Sequence, residues 1–162
     1  MKVLHLIRHA KSSWDNPDWG DIERPLNARG RKSCQIMAPE IDRYCDFQRV
    51  FCSPAVRARS TLEHLSEALP EPLVWNIDEA LYTFSGRDLL DWCRELDDEL
   101  EEVTVVGHNP ALTDLCNEIG DQPIDNMPTC GYVKLQTVCR HWRDLSPGSA
   151  QVAAFLYPKK FL

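Results

Sequence analysis

The sequence lacks any apolar run near the ~18–20 residues needed to cross a bilayer. It also lacks a basic excess. Eighteen Lys and Arg stand against 25 Asp and Glu, for a formal net charge of −7. That argues against a sequence-independent nucleic-acid binder, which carries a basic face, and against a home on an anionic membrane. It does not exclude a small cationic pocket for an anionic substrate. No CxxC is present: the seven cysteines are odd in number and no two lie within four residues of each other. Zinc ribbons, thioredoxin-like motifs and Fe–S spacings are therefore unsupported, and no metal is expected. The thiols read as small hydrophobes in a reducing compartment. There is no repeat, low-complexity tract or Gly/Ser linker, so a single domain over 1–162 is expected. The apolar start, Val3-Leu4-His5-Leu6-Ile7, is too short for a signal-peptide core and is interrupted by His5. A cytoplasmic address is expected.

What is present is a globular balance, 43% apolar and 27% charged over 162 residues, which needs no disulfide or metal staple. Apolar runs and helical stripes alternate. Lys2–Arg8 suits a buried strand. Residues 10–26, with Pro17, Gly20 and Pro25, read as a long loop of the kind that carries function. Residues 27–44 read as a helix that Pro39 should kink or split. A strand follows at Arg49–Cys52. Ser53-Pro54 then has the form of an N-cap with Pro at the first helical position, opening a helix to about Leu69. Leu73–Ile77 and Val103–Val106 read as strands, and residues 86–100 as a helix. Asn109-Pro110 repeats the cap-plus-Pro form before the stripe Leu112, Leu115, Cys116 and Ile119. Gly131–Val138 and Gln151–Tyr157 close the pattern as strands. The expected architecture is a three-layer α/β/α sandwich around a mostly parallel sheet of about six strands.

Two of these strands end alike, in Arg8-His9 and in Gly107-His108-Asn109-Pro110. The carboxyl edge of an open α/β sheet is where ligands bind. His108 precedes a helix N-terminus, which favours an anion, and Gly107 allows close backbone approach. A third junction, Ser53-Pro54-Ala55-Val56-Arg57-Ala58, places Arg57 in the first turn of a helix. Singly, a His at a strand end is usually structural and an Arg in a first turn usually a surface charge. Together at three junctions of one edge, two Arg and two His suit a phosphoryl group. Guanidinium binds its oxygens in pairs, and neutral imidazole can attack phosphorus.

Four segments then match a family in order. Leu6-Ile7-Arg8-His9-Ala10-Lys11-Ser12-Ser13-Trp14 resembles the Arg-His-Gly/Ala signature of the histidine phosphatase (phosphoglycerate mutase-like) superfamily, more narrowly its SixA-type phosphohistidine phosphatase branch. Arg24-Pro25-Leu26-Asn27-Ala28-Arg29-Gly30 is similar to its Arg-Pro-Leu-x-x-x-Gly segment. Ser53–Ala58 is similar to Ser-Pro-x-x-Arg-Ala, and Val106–Pro110 to the second His motif. The resemblance spans residues 6–110 and leaves the last 50 residues without a motif. It implies that His9 is the nucleophile, that Arg8, Arg57 and His108 hold the phosphoryl oxygens, and that Ser12, Asn16, Gly107 and Asn109 line the substrate site. It implies no metal or other cofactor, since the arginines supply the positive charge.

Where many members have Asn after the Trp of the first motif, this chain has Asp15, with Asn16 next to it. Members that cleave phosphomonoesters use a carboxylic acid between the Arg motif and the second His. The candidates here are Asp78 and Glu79, and the resemblance favours Glu79. Three other constellations fail on spacing or shape. Cys52 and Arg57 have four residues between them where thiolate phosphatases need five. His5 and His9 would pair on a metal only in a helix. Of the five Trp, Trp92 belongs to a core stripe, while Trp14 and Trp19 stand in the long loop at a possible pocket rim. The expected function is hydrolysis of phosphohistidine in a phosphotransfer or phosphocarrier protein. The alternatives are a phosphatase of small phosphorylated substrates and a non-catalytic phospho-ligand module. The intact Arg8, His9, Arg57 and His108 set speaks against the module.

Overall fold

A computed structural model describes residues 1–162. The strands are β1 (Val3–Arg8), β2 (Val50–Cys52), β3 (Asn76–Ile77), β4 (Glu102–Gly107), β5 (Tyr132–Thr137) and β6 (Ala150–Leu156). The helices are α1 (Ala28–Asp42), α2 (Val56–Glu67), α3 (Gly86–Arg94) and α4 (Ala111–Ile119), with short 3-10 turns at Asp21–Glu23, Glu79–Leu81, Trp142–Asp144 and Pro158–Phe161. One six-stranded sheet runs β3-β2-β4-β1-β5-β6. The pairings among β3, β2, β4 and β1 are parallel, and β5 is antiparallel to both β1 and β6. Five strands thus point one way, and the sheet is mixed but mostly parallel as the alternation predicts.

Period-2 side chains divide β1 between two cores. Leu4 and Leu6 pack with Val103, Val105 and Val133 under α3 and α4. Ile7 packs with Val106 and Tyr132 under α1 and α2. Helices therefore cover both faces, which is why the central strands read as nearly continuous apolar runs. No helix is long and apolar enough to cross a membrane.

Several boundaries differ from the sequence reading. Pro39 neither splits nor ends α1. It lies in the last turn and forgoes one intrahelical bond there, while the buried anchors Met37, Ala38 and Ile41 on either side of it hold the helix together. Ser53 does not cap α2. That helix starts at Val56 behind Ala55, and the Ser53 hydroxyl has buried partners elsewhere. The expected strand Leu73–Ile77 shrinks to Asn76–Ile77, because the Leu73 N–H is taken by Ser66 Oγ of α2 at 2.8 Å. The helix over 86–100 stops at Arg94, whose guanidinium binds the Leu145 carbonyl at 2.7 and 2.9 Å. Helix α4 has Pro110, not Asn109, at its N-cap.

Candidate active site

The parallel register brings the strand ends level. Arg8 of β1 pairs with Gly107 of β4. Beyond them, the His9 N–H donates to the Gly107 carbonyl (3.2 Å), the Cys130 N–H donates to the His9 carbonyl (3.0 Å), and the Ser53 N–H donates to the Val106 carbonyl (3.1 Å). The segments after β1, β2 and β4 are thereby stitched together, and His9 and His108 stand with ring centroids 5.3 Å apart.

His9 is 7% exposed. Its Nδ1 lies 2.8 Å from the Ala10 carbonyl. A carbonyl only accepts, so Nδ1 carries the proton and Nε2 keeps its lone pair. Arg57 Nε donates to that Nε2 at 3.3 Å. Burial first, then the positive charge of His108, Arg57 and Arg8, pushes the His9 pKa down to about 3, outweighing the Ala10 hydrogen bond. The imidazole is therefore neutral at physiological pH. His108 lies at 2% exposure with Nε2 2.8 Å from Ser53 Oγ and Nδ1 3.4 Å from Arg57 Nη2. Burial, then Arg57, lowers its pKa to about 4.

Arg57 is buried at 2% exposure, and each of its nitrogens is engaged. Nε faces His9, Nη1 donates to the Asp21 carbonyl (2.6 Å), and Nη2 donates to Asp21 Oδ2 (2.9 Å). Arg8 is different. Its Nη1 donates to the Met127 carbonyl at 2.9 Å, but its Nε is buried without a partner. A buried, unpaired guanidinium N–H is costly. Next to Arg57, whose charge with burial lowers the Arg8 pKa, it is a donor suited to an anion.

Asp21 is the residue that sequence reasoning missed. It sits on the 3-10 turn of the long loop and accepts from Arg57, from Arg24 Nη2 (3.2 Å) and from the Tyr82 hydroxyl (2.5 Å). Burial raises its pKa, but the hydrogen bonds from Tyr82, Arg57 and Arg24 and the charge of Arg57 win and bring it down to about 2. An ionised Asp thus braces the outer edge of the guanidinium. Its signal was three residues before Arg24, inside a loop read only for its length. Ser53 was likewise passed over as a cap. Its Oγ accepts from the Ala55 N–H (3.2 Å) while bonding His108.

The remaining expected site residues fall into two groups. Ser12 and Asn109 act behind the cluster. Ser12 Oγ accepts from Arg24 Nη1 at 2.6 Å. Asn109 Nδ2 donates to the Met127 carbonyl (2.9 Å) that Arg8 also uses, and its Oδ1 accepts from the Thr113 N–H (3.1 Å). Gly107 contributes its carbonyl to His9. Asn16 and Glu79 are exposed, and neither side chain bonds to a member of the cluster. Asn16 accepts from Asp18 N–H. Asp15 is exposed as well, its N–H donating to Ser13 Oγ. Asp78 is occupied by the Ala80 N–H (3.0 Å) and Trp92 Nε1 (2.9 Å). The 3-10 turn after β3 turns Tyr82 toward the cluster instead, and Tyr82 and Phe84 place ring centroids 5.4 and 5.3 Å from His108. Trp14 lies over the Arg24 guanidinium at 3.5 Å. Cys52 is no thiolate: burial lifts its pKa to about 12.

Residues 4–85 match the family described as the histidine phosphatase superfamily (branch 1). Among curated proteins, the chain is 29% identical over 171 residues to the uncharacterized protein Rv1276c of Mycobacterium tuberculosis (strain H37Rv), covering 94% of this chain and 100% of that one. Among solved structures, it is similar to a SixA from Agrobacterium tumefaciens, with 25% identity, a TM-score of 0.78 and 97% and 98% of the two chains covered. It is also similar in fold to the protein histidine phosphatase SixA complexed with tungstate, at 21% identity, a TM-score of 0.80 and 99% of each chain covered. The family match takes in just over half of the chain, Arg8, His9 and Arg57 with it, and so this chain belongs to the histidine phosphatase superfamily and is a phosphatase.

Proposed function

We propose that the protein hydrolyses phosphohistidine in a protein substrate, through a phosphoryl group carried transiently on its own His9. The observation that carries this reading is the state of His9: a buried, neutral ring whose Nδ1–H is held by Ala10, leaving the Nε2 lone pair among Arg57, His108 and Arg8. In the first step Nε2 forms a bond to phosphorus, the substrate's P–N bond breaks, and its electron pair stays on the leaving nitrogen. A phosphoimidazole protonated on its other ring nitrogen departs as neutral imidazole, so the enzyme need supply no proton. In the second step water attacks the same phosphorus, His9 leaves as imidazole, and inorganic phosphate is released. Throughout, the Arg57 Nε–Nη2 edge and the free Arg8 Nε face the shifting oxygen charge, while His108, accepting from Arg57 Nη2 at Nδ1, orients that edge.

Two things favour phosphohistidine over a phosphomonoester. No carboxylic acid is bonded to the cluster ready to protonate an alkoxide, since Glu79 is exposed and makes no bond to it, Asp78 is taken up by Ala80 and Trp92, and Asp21 is ionised. The solved SixA structures are similar over nearly the whole chain. Rapid quench should trap acid-labile, alkali-stable phosphate on His9, and His9→Ala should stay folded and lose activity by several orders of magnitude. A substrate panel then reads the class. Glu79→Gln should barely change turnover of a phosphohistidine protein, whereas loss of a true general acid costs about 10²–10⁴-fold. A sugar phosphate hydrolysed faster than phosphohistidine, with a large Glu79 effect, would move the assignment to small phosphomonoesters. The expected setting is the cytoplasm, with no cofactor.

A further inference from the structure

The acidic chain keeps one cleft free of Asp and Glu side chains. Lys11, Arg29, Lys32 and Lys159 line this cleft of ≈ 480 Å³ together with Pro128 and Tyr157. All four cations are exposed, and none forms an ion pair with a carboxylate. In a protein of net charge −7, four like charges lining one cleft with no Asp or Glu side chain among them repel one another.

Its position is set by topology. Lys11 lies two residues beyond His9, and Arg29 and Lys32 lie on the opening turns of α1. Pro128 lies two residues before Cys130, whose N–H holds the His9 carbonyl. Tyr157 and Lys159 follow β6, which runs parallel to β1. Each contributor therefore stands at the carboxyl edge of the sheet, where His9 and His108 stand, on the β5–β6 side of them. Arg57, Tyr82 and Phe84 flank the opposite side.

We propose that this cleft docks an acidic surface of the phosphoprotein substrate, steering the phosphohistidine onto His9; this rests on the reading of the substrate as a phosphohistidine protein. A free phosphorylated metabolite seated at His9 would leave the cleft uncovered, whereas a protein domain presenting a side chain to His9 must cover neighbouring surface. Charges at such a rim act mainly on association and its salt dependence. Nucleic acid is the poorer occupant: four cations on a chain of net charge −7 fall short of a continuous basic face.

The test uses two synthetic peptides of equal length with a central phosphohistidine, flanked by Glu in one and Gln in the other, together with free phosphohistidine. At low salt the protein should show about tenfold higher kcat/KM for the Glu peptide, and the preference should vanish above about 0.5 M salt, where charges are screened within a few ångströms. Lys32→Glu with Lys159→Glu should abolish the preference and leave turnover of free phosphohistidine unchanged. The Gln substitutions at both positions should fall between. Equal kcat/KM for the two peptides, or a preference that survives both charge reversals, overturns the proposal. Binding of the unphosphorylated Glu peptide, followed by fluorescence anisotropy, separates the two readings. If no phosphohistidine probe is hydrolysed yet this peptide binds and Lys32→Glu with Lys159→Glu releases it, docking stands and the substrate assignment fails. Tighter binding of single-stranded DNA or of anionic lipid vesicles than of the Glu peptide overturns the acidic-protein assignment.

Discussion

At the scale of single residues, each imidazole and guanidinium of the site is held by a fixed partner, and Arg8 Nε alone among their nitrogens is buried without one. Ala10 fixes His9, Ser53 fixes His108, Met127 fixes Arg8, and Asp21 fixes Arg57 from outside the pocket. The Arg57 fork makes four directed contacts that a point charge cannot reproduce. Arg57→Lys should therefore cost about 2–4 kcal/mol of transition-state stabilisation, as for loss of an oxyanion donor, measured as kcat/KM on any phosphohistidine substrate. A Lys variant within about threefold of wild type, under ~0.7 kcal/mol, would show Arg57 to be a mere charge. Asp21 is a positioning residue, and its test isolates the charge. Asp21→Asn keeps an oxygen toward Arg57 Nη2 and leaves the backbone carbonyl on Nη1, so burial of Arg57 should persist. The loss of a charged acceptor, about 1.5 kcal/mol, should lower kcat about tenfold with little change in Tm. A fall in Tm with kcat per folded molecule unchanged would make Asp21 structural only.

At the scale of elements, the motif glycine of Arg24–Gly30 has a packing cause. A Cβ on Gly30 would run into the backbone carbonyl of Lys11, and the Asn27 N–H already donates to that carbonyl at 3.0 Å. The first turn of α1 thus presses on the segment that leaves His9. Gly30→Ala should shift that segment and reduce kcat well below wild type although residue 30 touches no reacting atom; an unimpaired variant would show that the helix can slide away. Here the sequence was most legible. Arg8, His9, Arg57 and His108 are each placed at or just beyond the carboxyl end of a strand, because apolar β-branched runs and helical stripes report burial directly. The supports were less legible for two physical reasons. Several are backbone carbonyls, at Ala10, Asp21, Gly107 and Met127, and a carbonyl leaves no residue-type signal. Others are side chains with two possible employments: Ser53 has the form of a helix cap, and only the arrival of His108 from 55 residues away shows where its hydroxyl goes. The short β3 failed for a similar reason, since Ser66 of α2 claims the Leu73 N–H that a ladder would have used. The last 50 residues carry no motif, yet they supply β5, β6 and the Met127 and Cys130 contacts to Arg8 and His9.

At the scale of the whole molecule, the chemistry sets a limit on the fold's pH range. Three of the five histidines are buried neutral: His5 against the Tyr132 hydroxyl, His9 and His108. Burial is the largest cause in each, holding their pKa values to about 4, 3 and 4 against 6.5 for a free imidazole. Between those values the unfolded chain binds protons that the native protein refuses, so stability rises with pH there and is lost as pH falls below about 6.5. At pH 5 each histidine costs about 2 kcal/mol, and three together about 6 kcal/mol, comparable with the whole stability of an ordinary domain. Asp21, with its pKa lowered to about 2, acts in the same direction but only below about pH 4. Urea unfolding followed from pH 7.5 to 5 should therefore show a steep drop in stability that flattens above pH 7. His9→Ala isolates one part of it: the variant should close on wild type, or overtake it, by about 2 kcal/mol between pH 7.5 and 5. Parallel stability curves for the two proteins would mean that His9 takes up its proton in the folded state, and a nucleophile that is protonated near neutrality could not keep the Nε2 lone pair on which the first step depends.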